Sequence, residues 1–548
     1  MKKRIISALL AGCMVVGLMT GCGNTDNKKG SGDDTLVVGI PQYSAVSSFE
    51  DNKFTEYLEQ ALGSEIEFEF FPEGSDEYTQ QLSMIIGAEE ELPDVLLGFT
   101  GMASSTIKGY GEEGYFLDLT DLIEEHAENY KAQLEKLTKE ERARIKNSGT
   151  SEKTKGFYSL PLYSFRAIDN LQSMTYINKT WLDKLGLQVP TTVEELETVL
   201  KAFKENDPNG NGQQDEIPMV GTTANMAAQG SVQDYIMNAF VYYNAADIFN
   251  VDSKGKVYSP ATTAEWRQGV EYMNKLCSQG LLSDLTFNIS SMSEYTSLIA
   301  GDSIAKVGIW SGHTAILAAS ATPLLEEYVA LPALKAATDK GGYTVEVPNS
   351  LQWGGVITEN CENPELAMKF LDLFFIDETV SRMRNGEKDV DWKDVKGTCT
   401  TGEETHIEVV NGKAFFEGNS TWCRNLLGIL TPYNYLWNQT NESAEGFTKE
   451  AARLEKELWD ILSNGKTKAS VNEGVTSTSI YTEKESEERG TYYYSYRTCV
   501  REFLALCATG EKNIKDDATW DAFQKDLEKN GQKEIIKIEQ AAYDRQAK

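Results

Sequence analysis

The fold class is decided by a stretch that begins with TLVVGI at residues 35–40 and ends with PDVLL at residues 93–97. Between these two β-rich runs lie a helical pattern of apolar residues that includes Phe54 and Leu58, a third β-rich run at 66–71, and a second helical pattern. Apolar residues three to four positions apart predict helices, and short apolar runs predict buried strands. The order strand, helix, strand, helix, strand predicts α/β units around a mainly parallel sheet.

The same alternation continues along most of the chain. After Ser381 the pattern turns mostly helical, and no internal repeat is present. Four tryptophans lie on apolar stripes of predicted helices, which predicts that they belong to the core. They are Trp181, Trp266, Trp459 and Trp520.

The composition excludes several classes of function. The chain has 548 residues, of which 41% are hydrophobic and 10% aromatic, so it can bury large cores and is not a disordered chain. Its formal net charge of −32 repels phosphate backbones and anionic lipid, which argues against nucleic-acid binding. With only three histidines, the sequence gives little support to histidine-rich metal chemistry or a His-dependent triad.

The N-terminus has the pattern of a bacterial lipoprotein signal peptide. A short basic segment at 1–4 precedes a largely apolar run at 5–19, which is too short to span a bilayer and right for a signal peptide. LMTGC at 18–22 resembles the lipobox, in which Cys22 is diacylated, with palmitate as one acyl chain, and becomes the mature N-terminus. An ordinary secretory signal followed by a bystander cysteine is the alternative.

The predicted signal peptide covers residues 1–21, and residues 22–34 form a flexible polar tether. A lipid on Cys22 predicts a protein held at the extracellular face of the bacterial cell membrane. Once Cys13 leaves with the signal and Cys22 takes the lipid, six cysteines remain. Their wide spacing predicts mostly free, buried thiols, although an even number outside the cell also permits disulfides.

Five stretches, in the same order along the chain, resemble the extracellular solute-binding lipoproteins of bacterial ABC importers, in the branch that captures carbohydrates. They are LPDVL at 92–96, GYFLDLT at 114–120, YINKTWLDKLGLQVPTTVEEL at 176–196, ENPELAMKFL at 362–371 and EQAAYDR at 539–545. The last is similar to a terminal signature of the larger members.

The resemblance implies an α/β, two-lobed periplasmic-binding-protein-like fold of type II, with hinge crossings and a helical C-terminal tail. Crossings between lobes are expected near 165–170, near Pro332 and near Asp377. The ligand then lies in the cleft, at the carboxyl ends of the sheet strands. The implied boundaries are residues 35–168 plus 333–377 for lobe 1, and 169–332 plus 378–548 for lobe 2.

DPNGNGQQDEIP at 207–218 has the spacing of the first part of an EF-hand calcium loop, with oxygen-bearing side chains at alternate positions and Gly212 at the turn. Pro218 stands where the closing glutamate of an EF-hand belongs. The resemblance to larger polysaccharide-binding members implies a structural Ca²⁺ site closed by two adjacent acids. A plain Asn/Gly turn is the alternative. The implied ligands are Asp207, Asn209, Asn211, the Gln213 carbonyl, Asp215 and Glu216.

Sugar rings present apolar C–H faces and hydroxyl groups, so their binding sites pair aromatic side chains with polar ones. Trp310 is the strongest candidate, because the family often places a stacking tryptophan after the corresponding strand. The other candidates lie after predicted strands, near predicted crossings or in an aromatic loop, and core packing is an equal alternative for each. They are Tyr163, Tyr43, Asp94, Phe99, Trp353, Tyr433, Tyr435 and Trp437.

Taken with the resemblance, these features predict a monomeric substrate-binding component of an ABC transporter. It captures an oligosaccharide between its lobes and delivers it to the membrane permease subunits. The resemblance implies binding without bond chemistry, so the chain is predicted not to be an enzyme. GYGEEG at 109–114 and GKT at 465–467 lack the surroundings of nucleotide-binding loops, whereas a glycosidase-type pair of acids stays open among its 84 carboxylates. A peptide or other solute binder of the same fold, a surface glycan-degrading enzyme and an adhesin are the alternatives.

Overall fold

The computed structural model describes the folded body in segments. These are residues 35–99, 101–164, 174–222, 232–245, 248–289, 292–300, 303–312, 323–345, 350–399, 401–411, 414, 419–435, 447–463, 468–470 and 481–546. The predicted signal peptide, lipidation site and tether lie outside the described residues, as does Trp437.

The strands are β1 (Thr35–Pro41), β2 (Glu65–Phe71), β3 (Val95–Leu97), β4 (Leu160–Ser164), β5 (Thr175–Asn178), β6 (Ile217–Val220), β7 (Asn250–Val251), β8 (Val257–Tyr258), β9 (Val307–Ser311), β10 (Tyr328–Ala330), β11 (Tyr343–Val345), β12 (Ser350–Ile357), β13 (Trp392–Thr398), β14 (Glu404–Val409), β15 (Gly428–Leu430) and β16 (Lys468–Ser470).

The helices are α1 (Lys53–Leu62), α2 (Ser75–Gly87), α3 (Ser104–Glu113), α4 (Thr120–His126), α5 (Glu128–Glu135), α6 (Lys139–Gly149), α7 (Lys179–Leu185), α8 (Val193–Glu205), α9 (Val232–Met237), α10 (Ala264–Ser278), α11 (Leu285–Asn288), α12 (Met292–Ala300), α13 (Pro364–Leu373), α14 (Asp377–Asn385), α15 (Pro432–Tyr435), α16 (Phe447–Ser463), α17 (Glu483–Ala508), α18 (Asp517–Lys529) and α19 (Gln532–Gln546).

Two separate sheets form the centres of the two lobes. The first has the order β15-β4-β12-β3-β1-β2, in which β1 runs parallel to both β2 and β3, as the alternation of the opening stretch predicts. The second has the order β10-β5-β9-β6, with β6 parallel to β9. Each sheet packs into its own large apolar cluster, and a third cluster includes residues of both sheets. The α/β, two-lobed expectation is confirmed.

Side-chain caps explain why the family-like stretches fold as they do. Asn178 ends β5 and its side-chain oxygen accepts a hydrogen bond from the Trp181 backbone N–H at 2.9 Å, which starts α7. Thr192 caps α8 in the same way, and Asn363 caps α13 with Pro364 at the first helical position. These polar residues therefore set where each helix begins.

The structure places the third crossing later than the sequence predicted. Residues after Asp377 remain on the first lobe, because β15 pairs with β4 and Trp422 lies in the first-lobe core. Trp422 also donates its indole N–H to the Thr55 hydroxyl of α1 at 3.0 Å. Val380, Cys399 and Leu430 also pack in the cluster that both sheets share, and α16 follows them there with Leu454 and Leu458. Residues 378–435 are therefore part of lobe 1.

The second crossing also lies later than Pro332. The Ala337 and Gly342 backbone N–H groups donate to the carbonyls of Ala239 and Asn238, each at 2.7 Å, and both acceptors belong to the second lobe. β12, the next strand that is described in the first sheet, begins at Ser350. The first crossing falls between β4 and β5, around the predicted position.

The helical tail covers the second lobe, as expected. Trp266 of α10 is fully buried, with its ring centroid 6.4 Å from Phe503 of α17 and 5.7 Å from Phe523 of α18. Trp181 is likewise in the core, while Trp459 and Trp520 are partly buried against it. The predicted core role is confirmed for Trp181 and Trp266, while Trp459 and Trp520 lie at the margins of the core clusters.

The six cysteines of the folded body are free, and five of them are buried. Burial raises the pKa of the thiols of Cys277, Cys361 and Cys507 to about 12, so they carry no thiolate at neutral pH. Among the described helices, none is long and apolar enough to cross a membrane.

Candidate functional site

The loops that follow β1, β2 and β3 emerge at one edge of the first sheet, because these three strands are parallel. Tyr43 follows β1, Glu73 follows β2 and Phe99 follows β3. The predicted candidates Tyr43 and Phe99 therefore lie along the edge where the resemblance places the ligand.

Arg424 completes a cluster at this edge that the sequence did not reveal. Its guanidinium lies over the Tyr43 ring at 5.0 Å from the centroid, and its Nη2 is 2.8 Å from Glu73 Oε1. Glu73 also accepts a hydrogen bond from the Ser44 backbone N–H at 3.2 Å. The Arg424 side chain remains 44% exposed, so it can donate to a ligand while it stays paired. The Tyr43 ring is only 5% exposed, so the groups that this cluster presents to solvent are the guanidinium donors of Arg424 and the carboxylate of Glu73, supported by the ring.

Arg424 and Glu73 had no signal in the local sequence. They stand 351 positions apart, and only the long-range pairing of the first lobe joins them. Tyr43 could be chosen because its position after a strand is readable from sequence. A charged residue in a segment without strong periodicity cannot be chosen in that way.

Trp310 lies in the core in this structure. It is 1% exposed, and its ring centroid is 4.6 Å from that of Tyr176 and 5.9 Å from that of Tyr328. All five residues of β9 are buried, because the strand is internal to its sheet. A stacking role for Trp310 stays a prediction.

The other buried candidates have similar packing. The Tyr163 hydroxyl donates to Glu141 Oε1 at 3.2 Å, Trp353 packs edge-on against Phe157, and Phe99 packs near Tyr78. Tyr163, Trp353 and Phe99 are thus packed in the core, as the alternative to ligand contact expected.

Asp94 lies at the opposite edge of the first sheet from Tyr43, because it precedes β3. Its Oδ2 accepts a hydrogen bond from the Val37 backbone N–H at 2.8 Å. The structure thus gives Asp94 a role in joining strands in place of the predicted contact with a ligand hydroxyl.

Tyr433 is the exposed member of the predicted aromatic loop. Its side chain is 40% exposed, its ring centroid is 4.4 Å from that of His406, and its carbonyl lies 2.7 Å from His406 Nδ1. Tyr435 ends the same short helix, and its side chain is outside the described part of the chain. Tyr433 therefore offers an accessible aromatic edge, stabilised by the histidine.

The predicted calcium loop follows α8 and leads into β6, and its polar side chains converge. Asp207 accepts hydrogen bonds from the backbone N–H groups of Gly210 and Gly212, each at 2.8 Å. Both glycines have φ of +78°, a conformation that side chains disfavour, which lets the backbone wrap around the Asp207 carboxylate. The Asn209 and Asn211 amides donate to Asp215 Oδ1 at 3.2 Å and 2.9 Å.

Glu216 is the unsatisfied member of this loop. Both of its carboxylate oxygens are buried, and within the described residues neither has a hydrogen-bond partner. Burial raises the pKa of Glu216, the backbone N–H groups of Glu216 and Asn209 act to lower it, and the carboxylates of Asp207 and Asp215 act to raise it. These backbone groups lie near the carboxylate without forming a hydrogen bond of good geometry. By contrast, a hydrogen bond from Lys306 lowers the pKa of Asp215 to about 2, so this carboxylate is charged at neutral pH.

The donor set of the loop fits a hard cation. The described residues contain no cluster of three or more His, Cys, Asp and Glu side chains placed to hold a metal. This includes the three acids of the loop, which are not gathered around one point; only its residue types, acids with amide and carbonyl oxygens, are those that Ca²⁺ prefers. A cation beside Glu216 would compensate its buried charge.

Comparison with known proteins gives matches along most of the chain. A family model described as "Bacterial extracellular solute-binding protein" matches residues 42–379. Lipoprotein LipO of Bacillus subtilis is 26% identical over 283 residues, which is 52% of this chain and 51% of LipO. The fructooligosaccharide ABC transporter substrate-binding protein FusA of Streptococcus pneumoniae is 28% identical over 293 residues, 52% of this chain and 50% of FusA. The chain thus spans about half the length of these curated relatives.

Solved structures match over a larger share. An "HMO binding ABC-transporter associated Solute Binding Protein" from Bifidobacterium longum infantis has a TM-score of 0.71 and 22% identity, covering 94% of this chain and 99% of that one. FusA in complex with kestose has a TM-score of 0.71 and 21% identity, covering 93% and 99%. At these identities the likeness shows a shared two-lobed fold.

Proposed function

This chain belongs to the bacterial extracellular solute-binding protein family, and we propose that it is the substrate-binding component of an ABC importer for an oligosaccharide. The cluster of Tyr43, Glu73 and Arg424 carries the proposal, because it presents exposed donors and an acceptor, held by a buried aromatic ring, at the carboxyl edge of the first sheet. The relative named for fructooligosaccharide transport supports the same ligand class.

Binding in this proposal proceeds by closure of the two lobes. Open and closed forms interconvert, and the ligand stabilises the closed form because both lobes contact it only there. The sugar is released unchanged to the permease subunits, and the protein performs no bond chemistry. Incubation with an oligosaccharide and analysis of the products checks this last point, since hydrolysis by the purified protein contradicts it.

Arg424→Ala is expected to weaken oligosaccharide binding by about 10- to 100-fold, which corresponds to roughly 1.4–2.8 kcal/mol. The substitution removes the donor fork beside Tyr43 and leaves Glu73 without its ion pair. Isothermal titration against kestose and a panel of other neutral oligosaccharides measures the change for whichever sugar the wild type binds.

Lys369→Ala is the matched control. It removes one positive charge and one exposed ion pair, to Glu365 at 2.7 Å, from α13 of the same lobe. The control is expected to bind like the wild type. Equal affinities for wild type and Arg424→Ala would contradict the assignment of Arg424 to the ligand site.

The anchoring of the protein forms part of the same proposal. Acylation of Cys22 would hold the monomer at the extracellular face of the membrane, near the permease. In the native bacterium, Cys22→Ser is expected to move the protein from the membrane fraction to the medium, as measured by fractionation and immunoblotting. Unchanged membrane retention would contradict the lipid anchor.

We also propose that the loop at 207–216 binds a structural Ca²⁺. Asp207, Asn209, Asn211, the Gln213 carbonyl, Asp215 and Glu216 would supply its oxygens. The buried, unpartnered carboxylate of Glu216 supports the proposal. The ion would fix the connection between α8 and β6 and take no part in ligand chemistry.

A further inference from the structure

The second lobe contains a cavity of about 330 Å³, apart from the Arg424 cluster. It lies between α9, α11 and the loop after α9 on one side and the middle of α17 on the other. The residues that matter for its chemistry are Gln233, Tyr243, Phe287, Thr498, Arg501 and Glu502. Tyr243 belongs to the second-lobe core, with Phe287 packed against it, whereas Tyr43 belongs to the first-lobe core.

Gln233 supplies the first argument that this cavity binds a ligand. The residue is 3% exposed, and in the described segments its Oε1 has no hydrogen-bond partner. A buried amide oxygen without a partner costs free energy, which a donor from a ligand would recover. A half-turn of the amide exchanges Oε1 and Nε2, so the same side chain can present either an acceptor or a donor to the cavity.

The charged groups of the cavity offset one another. Arg501 supplies guanidinium donors, and Glu502, the next residue of α17, supplies a carboxylate acceptor. Burial lowers the pKa of Arg501, and the neighbouring Arg497 acts in the same direction. Thr498 adds a hydroxyl one turn away from these residues. The cavity therefore offers donors and acceptors with no net charge.

The remaining walls are apolar and aromatic. Tyr243, Phe287 and Leu504 line them. An apolar surface beside planar polar side chains is the combination that suits a sugar ring, which has C–H faces and a rim of hydroxyls. A polyanion would meet Glu502, and a purely apolar molecule would leave Gln233 unpaired.

We propose that this cavity is a second carbohydrate site that binds a single neutral hexose ring. Its volume lies at the lower end of the range for small-molecule pockets, which favours one ring over a chain. The site is formed by one lobe alone, so binding there does not require closure. It also does not depend on the oligosaccharide site proposed for the first lobe.

Saturation-transfer difference NMR tests the proposal with glucose, galactose, mannose and fructose as separate probes at millimolar concentration. At least one hexose is expected to give a signal with the full-length wild-type protein and an equal signal with Arg424→Ala. Ala505 also lines the cavity, and Ala505→Phe, which fills it, is expected to abolish that signal. Ala505→Ser is the control for substitution at this position and is expected to keep it.

Gln233→Met provides a second variant, with a different readout. It keeps the volume of the side chain and removes the unpartnered amide, so the melting temperature without sugar is expected not to fall, while the hexose signal is lost. Absence of a signal from all four hexoses in the wild type, or an equal signal in wild type and Ala505→Phe, overturns the proposal. Kestose titrations of the same variants report separately on the oligosaccharide site.

Discussion

Glu539→Ala is expected to lower the free energy of unfolding of the second lobe by about 3–5 kcal/mol, because it leaves a buried guanidinium without its partner. Glu539 lies on α19 and its side chain is fully buried. Its Oε1 accepts a hydrogen bond from Arg489 Nε of α17 at 2.8 Å, and its Oε2 accepts one from the Tyr481 hydroxyl at 2.6 Å. Arg489 also lies over the Tyr493 ring at 3.7 Å, and its side chain is only 22% exposed, so water can replace little of what Glu539 supplies.

Neighbouring contacts of the same helix pair show why the loss would spread beyond one ion pair. Arg545 of α19 pairs with Glu485, which is part of the capping box at the start of α17. The Gln540 amide donates to the Gly255 carbonyl, in the turn between β7 and β8, and accepts a hydrogen bond from the Val257 backbone N–H of β8. The stretch at 539–545 therefore joins α19 both to α17 of the helical tail and to the β7–β8 ribbon of the second lobe.

Urea unfolding followed by far-ultraviolet circular dichroism measures the change, and Glu534→Gln on the exposed side of α19 is the control. Glu539→Gln should cost less than the alanine variant, because it keeps the shape and a hydrogen-bond acceptor. Replacing both partners, as in Arg489→Met with Glu539→Leu, is expected to recover most of the loss. A Glu539→Ala transition that coincides with that of the control would show that the pair does not hold the tail.

The elements that the sequence predicts best are those whose signals are local. β1 to β3 follow from short apolar runs, and α7 and α8 follow from the caps Asn178 and Thr192. Within a few residues, such signals decide both the type of element and its start. The α/β class and the helical tail could therefore be predicted from the sequence.

The path of the chain between lobes depends on contacts that are not local. β15 is three residues long, and it joins the first sheet only by pairing with β4, which lies more than 250 positions earlier. Trp422 is in the first-lobe core because α1 receives it. Nothing in the periodicity around Asp377 marks these pairings, which is why the third crossing was predicted too early.

The same distinction applies to the candidate site. A position after a strand is readable from the sequence, and the structure places Tyr43 at the carboxyl edge of the first sheet, where its contact with a ligand stays a prediction. Whether a ring faces the core or the cleft depends on which side of the sheet it occupies, and β9 is covered on both sides, as Trp310 shows. Arg424 joins the site through tertiary structure alone.

Removal of calcium is expected to lower the melting temperature through the loop at 207–216. At a free calcium concentration a hundred times the dissociation constant, binding to the folded chain adds about 2.7 kcal/mol of stability, which a chelator removes. The buried carboxylate of Glu216 explains the direction. Its pKa is raised in the folded chain, so without a cation it favours folding in acid and disfavours folding once the pH rises above that pKa. The effect of chelation should therefore be largest at neutral pH and shrink as the pH falls.

Differential scanning fluorimetry with EGTA, and again after calcium is restored, measures this effect, while elemental analysis counts the bound metal. Glu216→Gln is expected to melt no lower than the wild type in EGTA and to gain much less from calcium, because it removes both the buried charge and a ligand. Asp252→Asn is the control, since Asp252 organises a different exposed turn of the same lobe through bonds from Lys254 and Lys256 backbone N–H groups. Equal responses to calcium in the wild type and Glu216→Gln would contradict the site. If the wild type contains no metal and melts at the same temperature with and without EGTA, the loop binds no calcium and is a plain Asn/Gly turn.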